Sequence, residues 1–264
     1  MVDKIRIGAL ISGGGSNLQA IIDACESNRI DGRLVFVGSD NPDVHGLNRA
    51  EKHGISTFVT DYKAIFRQAR DQRPENLVPK EFDLKKILVS QELKPPASDK
   101  EKVARFFSTR AIAEADLLNK MAAYPFDLLV LAGFMRILTP YFIDRTNTDP
   151  SRPRIMNIHP ALLPSFPGVD GYGDTYRYGC KVGGCTVHFV DYGEDTGPII
   201  GQKAFEIGPE DTLESVRAKG LKLEWELYPA CIQLFAENRL KVVLKTHALA
   251  NGTVFRKKYV EITR

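Results

Sequence analysis

The sequence predicts an α/β fold in which a mostly parallel sheet carries helices on both faces. Residues 5–11 form an apolar strand, followed by a glycine-rich turn and by apolar residues at helical spacing. This order of elements typically opens a doubly wound sheet. Residues 126–132 are almost all apolar, as in a parallel strand covered on both faces. Residues 184–190 alternate and 198–206 resemble a partner strand, which predicts an antiparallel extension in the C-terminal half.

The remaining pattern predicts one domain over residues 1–264. Further strands are expected at 34–39, 56–60 and 154–158, and helices around 47–53, 111–121 and 213–238. A charged, proline-rich region at about 73–107 interrupts this rhythm, and we interpret it as an insertion packed loosely on the surface. A lid or an interface is the alternative. A C-terminal hairpin is expected at about 240–264, around Asn251-Gly252.

Composition indicates an ordinary globular protein. The net charge of +3 and the 43% hydrophobic content do not favour a nucleic-acid or membrane partner. The N-terminal residues show no signal-peptide pattern, so we expect a cytoplasmic protein; a homodimer stays open. We expect structural thiols and no metal, because the four cysteines lack zinc-ligand spacing: Cys25, Cys180, Cys185 and Cys231.

The glycine-rich turn at residues 12–17 has two interpretations. A dinucleotide fingerprint is not met, because Leu18 occupies the third glycine position. The backbone N–H groups of Gly15, Ser16 and Asn17 would open a helix, and a helix start favours an anion such as phosphate. A tight turn capped by Ser16 is an equally simple structural explanation.

Asn157, His159 and Asp195 are the candidate catalytic set. Asn157 and His159 lie two apart in a predicted strand, so they point to the same side, and Pro160 ends that strand. With Asp195 returned by a later turn, the set suits proton transfer around a tetrahedral intermediate that bears an oxyanion. His159 could equally be a hydrogen-bonded core residue, and Asp191 competes for the role of Asp195.

Two other polar residues have structural and functional readings. His188 falls in the middle of a predicted strand, where we expect it to serve packing. Arg136 follows the strand at residues 126–132, at the carboxyl edge where open α/β sheets bind ligands. A plain surface arginine is the alternative.

Four segments together resemble the phosphoribosylglycinamide formyltransferases, a branch of the folate-dependent formyltransferase superfamily. They read ISGGGSNLQAI at 11–21, LAGFMRIL at 131–138, NIHPALLP at 157–164 and DTGPII at 195–200. The resemblance covers most of the chain outside the insertion and the C-terminal hairpin. It implies a Rossmann-like fold and a formyl transfer from 10-formyltetrahydrofolate to glycinamide ribonucleotide in purine biosynthesis.

The resemblance also implies a role for individual residues. Three sets follow: Asn157, His159 and Asp195 as catalytic residues; Gly15, Ser16 and Asn17 as the phosphate site; and Met135, Arg136, Ile137 and Leu138 as the folate pocket. Glu224 matches a carboxylate that contacts the glycinamide part of the substrate, although a solvated acidic residue explains it equally well. Small-molecule substrates and no metal are implied.

One segment departs from the family pattern. Residues 169–178 contain Asp170 and three tyrosines, where family members commonly carry a histidine and an alanine-rich helix start. This keeps alternatives open: a formyltetrahydrofolate deformylase or a formyltransferase for another amine, and, from other classes, a nucleotide-binding module without catalysis or a nicotinamide dehydrogenase.

Overall fold

The computed structural model describes residues 4–72, 74–93, 99–249 and 251–263. Its central sheet has seven strands in the order β3-β2-β1-β4-β5-β6-β7. The first five are parallel and the last two antiparallel, which confirms the predicted fold class. The strands are β1 (Ile5–Ile11), β2 (Gly32–Ser39), β3 (Thr57–Val59), β4 (Leu128–Leu131), β5 (Ile155–His159), β6 (Val182–Phe189) and β7 (Ile199–Glu206).

Helices cover both faces of this sheet. They are α1 (Ser16–Glu26), α2 (His45–Lys52), α3 (Tyr62–Asp71), α4 (Leu84–Ser90), α5 (Lys100–Met121), α6 (Pro140–Thr146), α7 (Gly171–Arg177) and α8 (Leu213–Ala236). Successive residues of β1 enter different cores: Ala9 packs in the layer with α1 and α8, and Leu10 packs in the layer with α5 and α6. Burial on both sides therefore explains the unbroken apolar runs of the central strands.

The region expected to be a loosely packed insertion is partly well packed. It contains a 3₁₀ turn (Pro74–Asn76), α4 and the first turns of α5. Ile87 and Phe107 are buried and form a small core with Tyr141 of α6. The expectation of loose packing is therefore wrong for these residues, because α5 begins at Lys100 rather than near residue 111. Arg73 and residues 94–98 lie outside the described part of the chain.

A separate two-stranded sheet follows α8. It pairs β8 (Leu240–Ala248) with β9 (Val254–Ile262) in antiparallel register. Leu240 is buried, and Val242 and Val260 pack against the core beneath α8. Within the described ranges, no helix combines the length and the apolar character that crossing a membrane would require.

Tyr228 attaches α8 to the centre of the sheet. Its side chain is fully buried, and its hydroxyl lies 2.8 Å from the carbonyl oxygen of Met156 and 3.2 Å from that of Leu131. These carbonyls belong to β5 and to the carboxyl end of β4. The contact fixes the helix beside the edge of the sheet at which ligands bind in open α/β folds.

We expect Tyr228→Phe to lower the free energy of unfolding by about 1–2 kcal/mol, because the change removes a buried hydrogen bond while preserving the ring. Urea unfolding followed by circular dichroism measures this. Tyr178→Phe is the control, since Tyr178 is 81% exposed and its replacement should have little effect. Equal stabilities of the two variants would contradict the structural role of the hydroxyl.

Candidate functional site

A cleft of about 460 Å³ lies at the carboxyl ends of the parallel strands. The glycine turn after β1, the segment after β4 and the end of β5 form its walls, together with the loop between β6 and β7 and one face of α8. Every candidate site residue predicted from the sequence lines it: Gly15, Ser16, Asn17, Met135, Arg136, Ile137, Leu138, Asn157, His159, Asp195 and Glu224. Chain reversals at the strand ends thus bring distant segments together.

The glycine turn places the N-terminus of α1 at the cleft. Gly15 has a φ of 72° and is the N-cap of α1, so the helix begins at Ser16. The proposed capping of the turn by Ser16 is therefore wrong: the N-cap is a glycine and has no side chain to accept from the first-turn N–H groups. Such a helix start suits an anion, since the donors and the helix dipole point in the same direction.

Helix α2 supports the turn from behind. The backbone N–H of Gly46 donates to the carbonyl oxygen of Gly13 at 3.1 Å, and Arg49 Nε donates to that of Gly14 at 2.9 Å. A Cβ at Gly46 would lie 2.9 Å from the same Gly13 oxygen, so only glycine allows the close approach. Arg49 also adds positive charge behind the turn.

The catalytic candidates meet through a fourth residue. Asp195 Oδ2 lies 3.1 Å from His159 Nδ1, and Asp195 Oδ1 lies 3.6 Å from His188 Nε2. His188 Nε2 is in turn 3.2 Å from Asn157 Nδ2. The structure therefore brings together Asn157, His159 and Asp195, with His188 between the amide and the carboxylate.

His188 is buried, as expected of a packing residue, but it also makes polar contacts with two of the catalytic candidates. It lies on β6 directly opposite Asn157 on β5, in the antiparallel part of the sheet. In neutral His188 the proton belongs on Nδ1, which lies 2.9 Å from the carbonyl oxygen of Phe189, so Nε2 accepts from Asn157. Protonated His188 would instead direct Nε2–H toward Asp195. The alternating pattern of β6 predicts that His188 lies in a strand. It does not predict which residue of β5 lies opposite His188.

Backbone geometry delivers Asp195 to the histidines. Asp195 has a φ of 54°, in the left-handed region, and its Oδ2 accepts a hydrogen bond of 2.9 Å from the backbone N–H of Gly168. A Cβ at Gly197 would lie 1.8 Å from the carbonyl oxygen of Phe189, so the Asp-Thr-Gly-Pro turn passes β6 only with glycine. The competing Asp191 is used within the same loop, where it accepts from Thr196 Oγ1 at 2.6 Å.

The electrostatics of the pair favour a negative Asp195. Burial alone would raise the pKa of Asp195, but its contacts with His188, His159 and the N–H of Gly168 outweigh burial and lower it. Burial lowers the pKa of His159, and Asp195 opposes that effect. His159 Nε2 lies 2.7 Å from the carbonyl oxygen of Phe166, so both ring nitrogens face acceptors. A second proton on His159 would thus be held directly by Asp195.

The segment after β4 forms an apolar wall that contains a partly buried ion pair. Leu138 is buried and Met135 is 57% exposed, and the Met135 N–H donates to Ser12 Oγ at 2.8 Å. Arg136 Nε donates to the buried carboxylate of Asp40, and its guanidinium lies 5.2 Å from the ring centre of Tyr62. Arg136 is therefore a fixed part of the cleft wall. These contacts argue against the alternative that it is a surface arginine without partners.

Glu224 is buried, so the solvated alternative for it is wrong. It is 4% exposed on α8, and its carboxylate accepts from Asn17 Nδ2 and from the hydroxyl of Tyr172, each at 2.6 Å. Burial raises the pKa of Glu224, and these two hydrogen bonds oppose the increase. Tyr172 belongs to the tyrosine-containing segment that departs from the expected pattern, and it is a site residue that the sequence did not single out.

No group of three or more His, Cys, Asp or Glu side chains with a metal-binding arrangement occurs among residues 4–72, 74–93, 99–249 and 251–263. The acidic and imidazole groups of the cleft instead pair with one another or with neutral donors. The arrangement can hold an anion at the glycine turn, an amine near Glu224 and a proton at His159.

Comparisons with known proteins show which proteins the chain is similar to. Residues 5–232 match the family described as formyl transferase. Phosphoribosylglycinamide formyltransferase of Escherichia coli (strain K12) is 33% identical over 238 residues, covering 90% of both chains. The enzyme of that name from Haemophilus influenzae is 35% identical over 90% of both. The structure of glycinamide ribonucleotide transformylase 1 from Symbiobacterium toebii superposes with a TM-score of 0.69 at 34% identity, covering 100% of this chain and 96% of that one.

We expect Asp195→Asn to lower the pKa of His159 by about one unit or more, because the variant removes the negative charge that favours the imidazolium. Proton–carbon NMR titration of the histidine rings measures the pKa, with assignment by His159→Asn. Asp191→Asn is the matched control in the same loop and should leave His159 unchanged. An unchanged His159 titration in Asp195→Asn would show that the two side chains are not coupled.

Proposed function

The chain belongs to the formyl transferase family, and we propose that it transfers a formyl group from 10-formyltetrahydrofolate to the amine of glycinamide ribonucleotide. The products would be formylglycinamide ribonucleotide and tetrahydrofolate, as a step of de novo purine biosynthesis. One observation carries the proposal: a helix start suited to phosphate and the Asn157/His159/Asp195 set share one cleft.

The nucleotide end of the acceptor fits the glycine turn. The N–H groups at Gly15, Ser16 and Asn17 would hold the phosphate, and Arg49 supplies charge behind them. Glu224 lies next to Asn17, so the glycinamide amine would reach the carboxylate while the phosphate occupies the turn. An anion-binding turn and a carboxylate in the same cleft together support a phosphorylated amine rather than a free one.

The opposite wall fits the folate. Met135, Arg136, Ile137 and Leu138 offer apolar side chains and backbone groups along the cleft, which suits a flat heterocycle that needs a few directed hydrogen bonds. The bound folate supplies the activated formyl group. The protein's own contribution is to hold that group beside Asn157 and His159.

The catalytic residues would act on the charge that develops as the amine attacks. One N–H of Asn157 is directed at His188, which leaves the second to donate to the oxyanion. Asp195 would receive the proton that the amine loses, directly or through a water, and would pass it to Nδ1 of His159, because both ring nitrogens of His159 face protein acceptors. Holding both substrates together contributes through proximity, which is worth up to about 7–11 kcal/mol in well-oriented systems.

We expect His159→Asn to lower kcat about 10²- to 10⁴-fold with little change in KM for either substrate, because the variant loses the acid/base group but retains the cleft. Steady-state assays with both substrates measure this. His53→Asn is the control, since His53 pairs with Glu26 on the surface. Near-native turnover of His159→Asn would refute the assigned role.

We expect kcat/KM to fall at least about 100-fold when glycinamide ribonucleotide is replaced by its dephosphorylated nucleoside, because several charge-assisted hydrogen bonds are lost. Gly15→Ala should reduce the preference for the nucleotide over the nucleoside. The φ of 72° is unfavourable for alanine, and its Cβ would lie 2.9 Å from Gly46 Cα. Gly208→Ala is the control outside the cleft, because a Cβ there meets no atom closer than 3.8 Å. Measuring formate in the same assays tests for deformylase activity: release that does not depend on the amine would contradict the proposal.

A further inference from the structure

The carboxylate of Glu224 is held at both oxygens. Asn17 Nδ2 donates to Oε2 and the Tyr172 hydroxyl donates to Oε1, each at 2.6 Å. The three side chains come from α1, α7 and α8, and all line the cleft. Two fixed donors on different elements restrict the carboxylate to one orientation.

Neither donor carries a charge. Among the residues that the structure describes, no Lys, Arg or His forms an ion pair with Glu224, whose pKa is raised by burial and lowered only by hydrogen bonds from Asn17 and Tyr172. Asn17 Oδ1 is also buried and has no hydrogen-bond partner in this part of the chain. Asn17 Oδ1 thus lacks a donor, and the neighbouring carboxylate of Glu224 keeps acceptor capacity beyond its two hydrogen bonds and has no cationic partner among the described residues. This chemistry fits a ligand group that carries several N–H donors.

Helix α8 is shaped to admit the tyrosine. A Cβ at Gly220 would lie 2.1 Å from Tyr172 Cζ and 2.4 Å from its hydroxyl oxygen. Gly220 lies inside a helix of 24 residues, where glycine is unfavourable relative to alanine. The absence of a side chain at Gly220 therefore leaves the space that the ring of Tyr172 occupies.

We infer that Tyr172 is a positioning residue for the acceptor amine, acting through Glu224 and admitted by Gly220. The inference rests on the proposed function and deepens it, because it adds a residue that specifies how the amine is presented. Tyr172 turns the carboxylate toward the cleft, and Glu224 then accepts from the amine together with Asn17 Oδ1.

Protonation provides a test that a purely structural role would not affect. The titratable groups around Glu224 are Tyr172 on α7, Cys185 on β6 and Tyr228 on α8. Burial raises the pKa of all three, that of Cys185 to about 12, so they stay neutral. Loss of the Tyr172 donor removes a contact that lowers the pKa of Glu224. The pKa of Glu224 must then rise, and the ionised form is lost at a higher pH.

We expect Tyr172→Phe to raise KM for glycinamide ribonucleotide about tenfold, and to move the acid limb of kcat/KM for this substrate upward by about one pH unit, on the scale of one hydrogen bond to a charged group. KM for the folate donor should not change. Tyr176→Phe is the matched control on the same helix, because Tyr176 is 37% exposed and does not line the cleft.

Gly220→Ala should produce the same rise in KM although residue 172 is still tyrosine, because the added methyl group displaces the tyrosine ring. Adding Tyr172→Phe to Gly220→Ala should raise KM little further, because both changes remove the same hydrogen bond to Glu224, whereas two independent packing effects would add. Tyr172→Phe with the parental KM and pH profile, in a chain that still transfers formyl, would overturn this inference and leave the proposed function standing. A parental chain without formyl transfer would overturn the proposed function itself.

Discussion

The contact between the carboxylate of Asp195 and the buried imidazole of His159 is the interaction on which the site depends. Both side chains are largely withdrawn from water, 12% and 3% exposed, so each needs the other's charge or hydrogen bond to be accommodated. The fold supports this contact at the backbone. Gly197 permits the loop to cross β6, and the N–H of Gly168 anchors the carboxylate. A shift of one residue in the pairing of β6 with β5 would turn His188 away from the face of the sheet that carries Asn157 and His159.

Local rules were sufficient to predict the framework. The unbroken apolar strands follow from burial on both faces, and the glycine turn marks the first change from strand to helix. Asn157 and His159 could be paired from sequence because two residues in one strand share a side whatever the rest of the sheet does. Glu224 and the folate wall entered only through resemblance, since nothing in their own segments distinguishes a buried carboxylate from a solvated one.

The parts that sequence reasoning missed depend on contacts between distant segments. His188 reaches the site through its register opposite Asn157, and Tyr172 through a gap that a glycine 48 positions later leaves in α8, at Gly220. The early start of α5 was hidden for a different reason. Lysine, arginine and glutamate residues lie among Val103, Phe106 and Phe107, so the apolar face that packs against α4 and α6 gives no strong periodic signal.

The two buried carboxylates of the cleft, Asp195 and Glu224, differ in their hydrogen-bond partners. Contacts with two imidazoles and with the N–H of Gly168 keep the pKa of Asp195 low, so its negative form is stabilised within the protein. Neutral donors surround Glu224 and leave its pKa raised by burial, so its charge is matched only when a donor arrives from outside. A group with the first environment is suited to holding a proton on a neighbouring base, and one with the second is suited to binding an amine. The same side-chain chemistry therefore serves two purposes, because β5, β6 and the following loop supply one environment and α1, α7 and α8 supply the other.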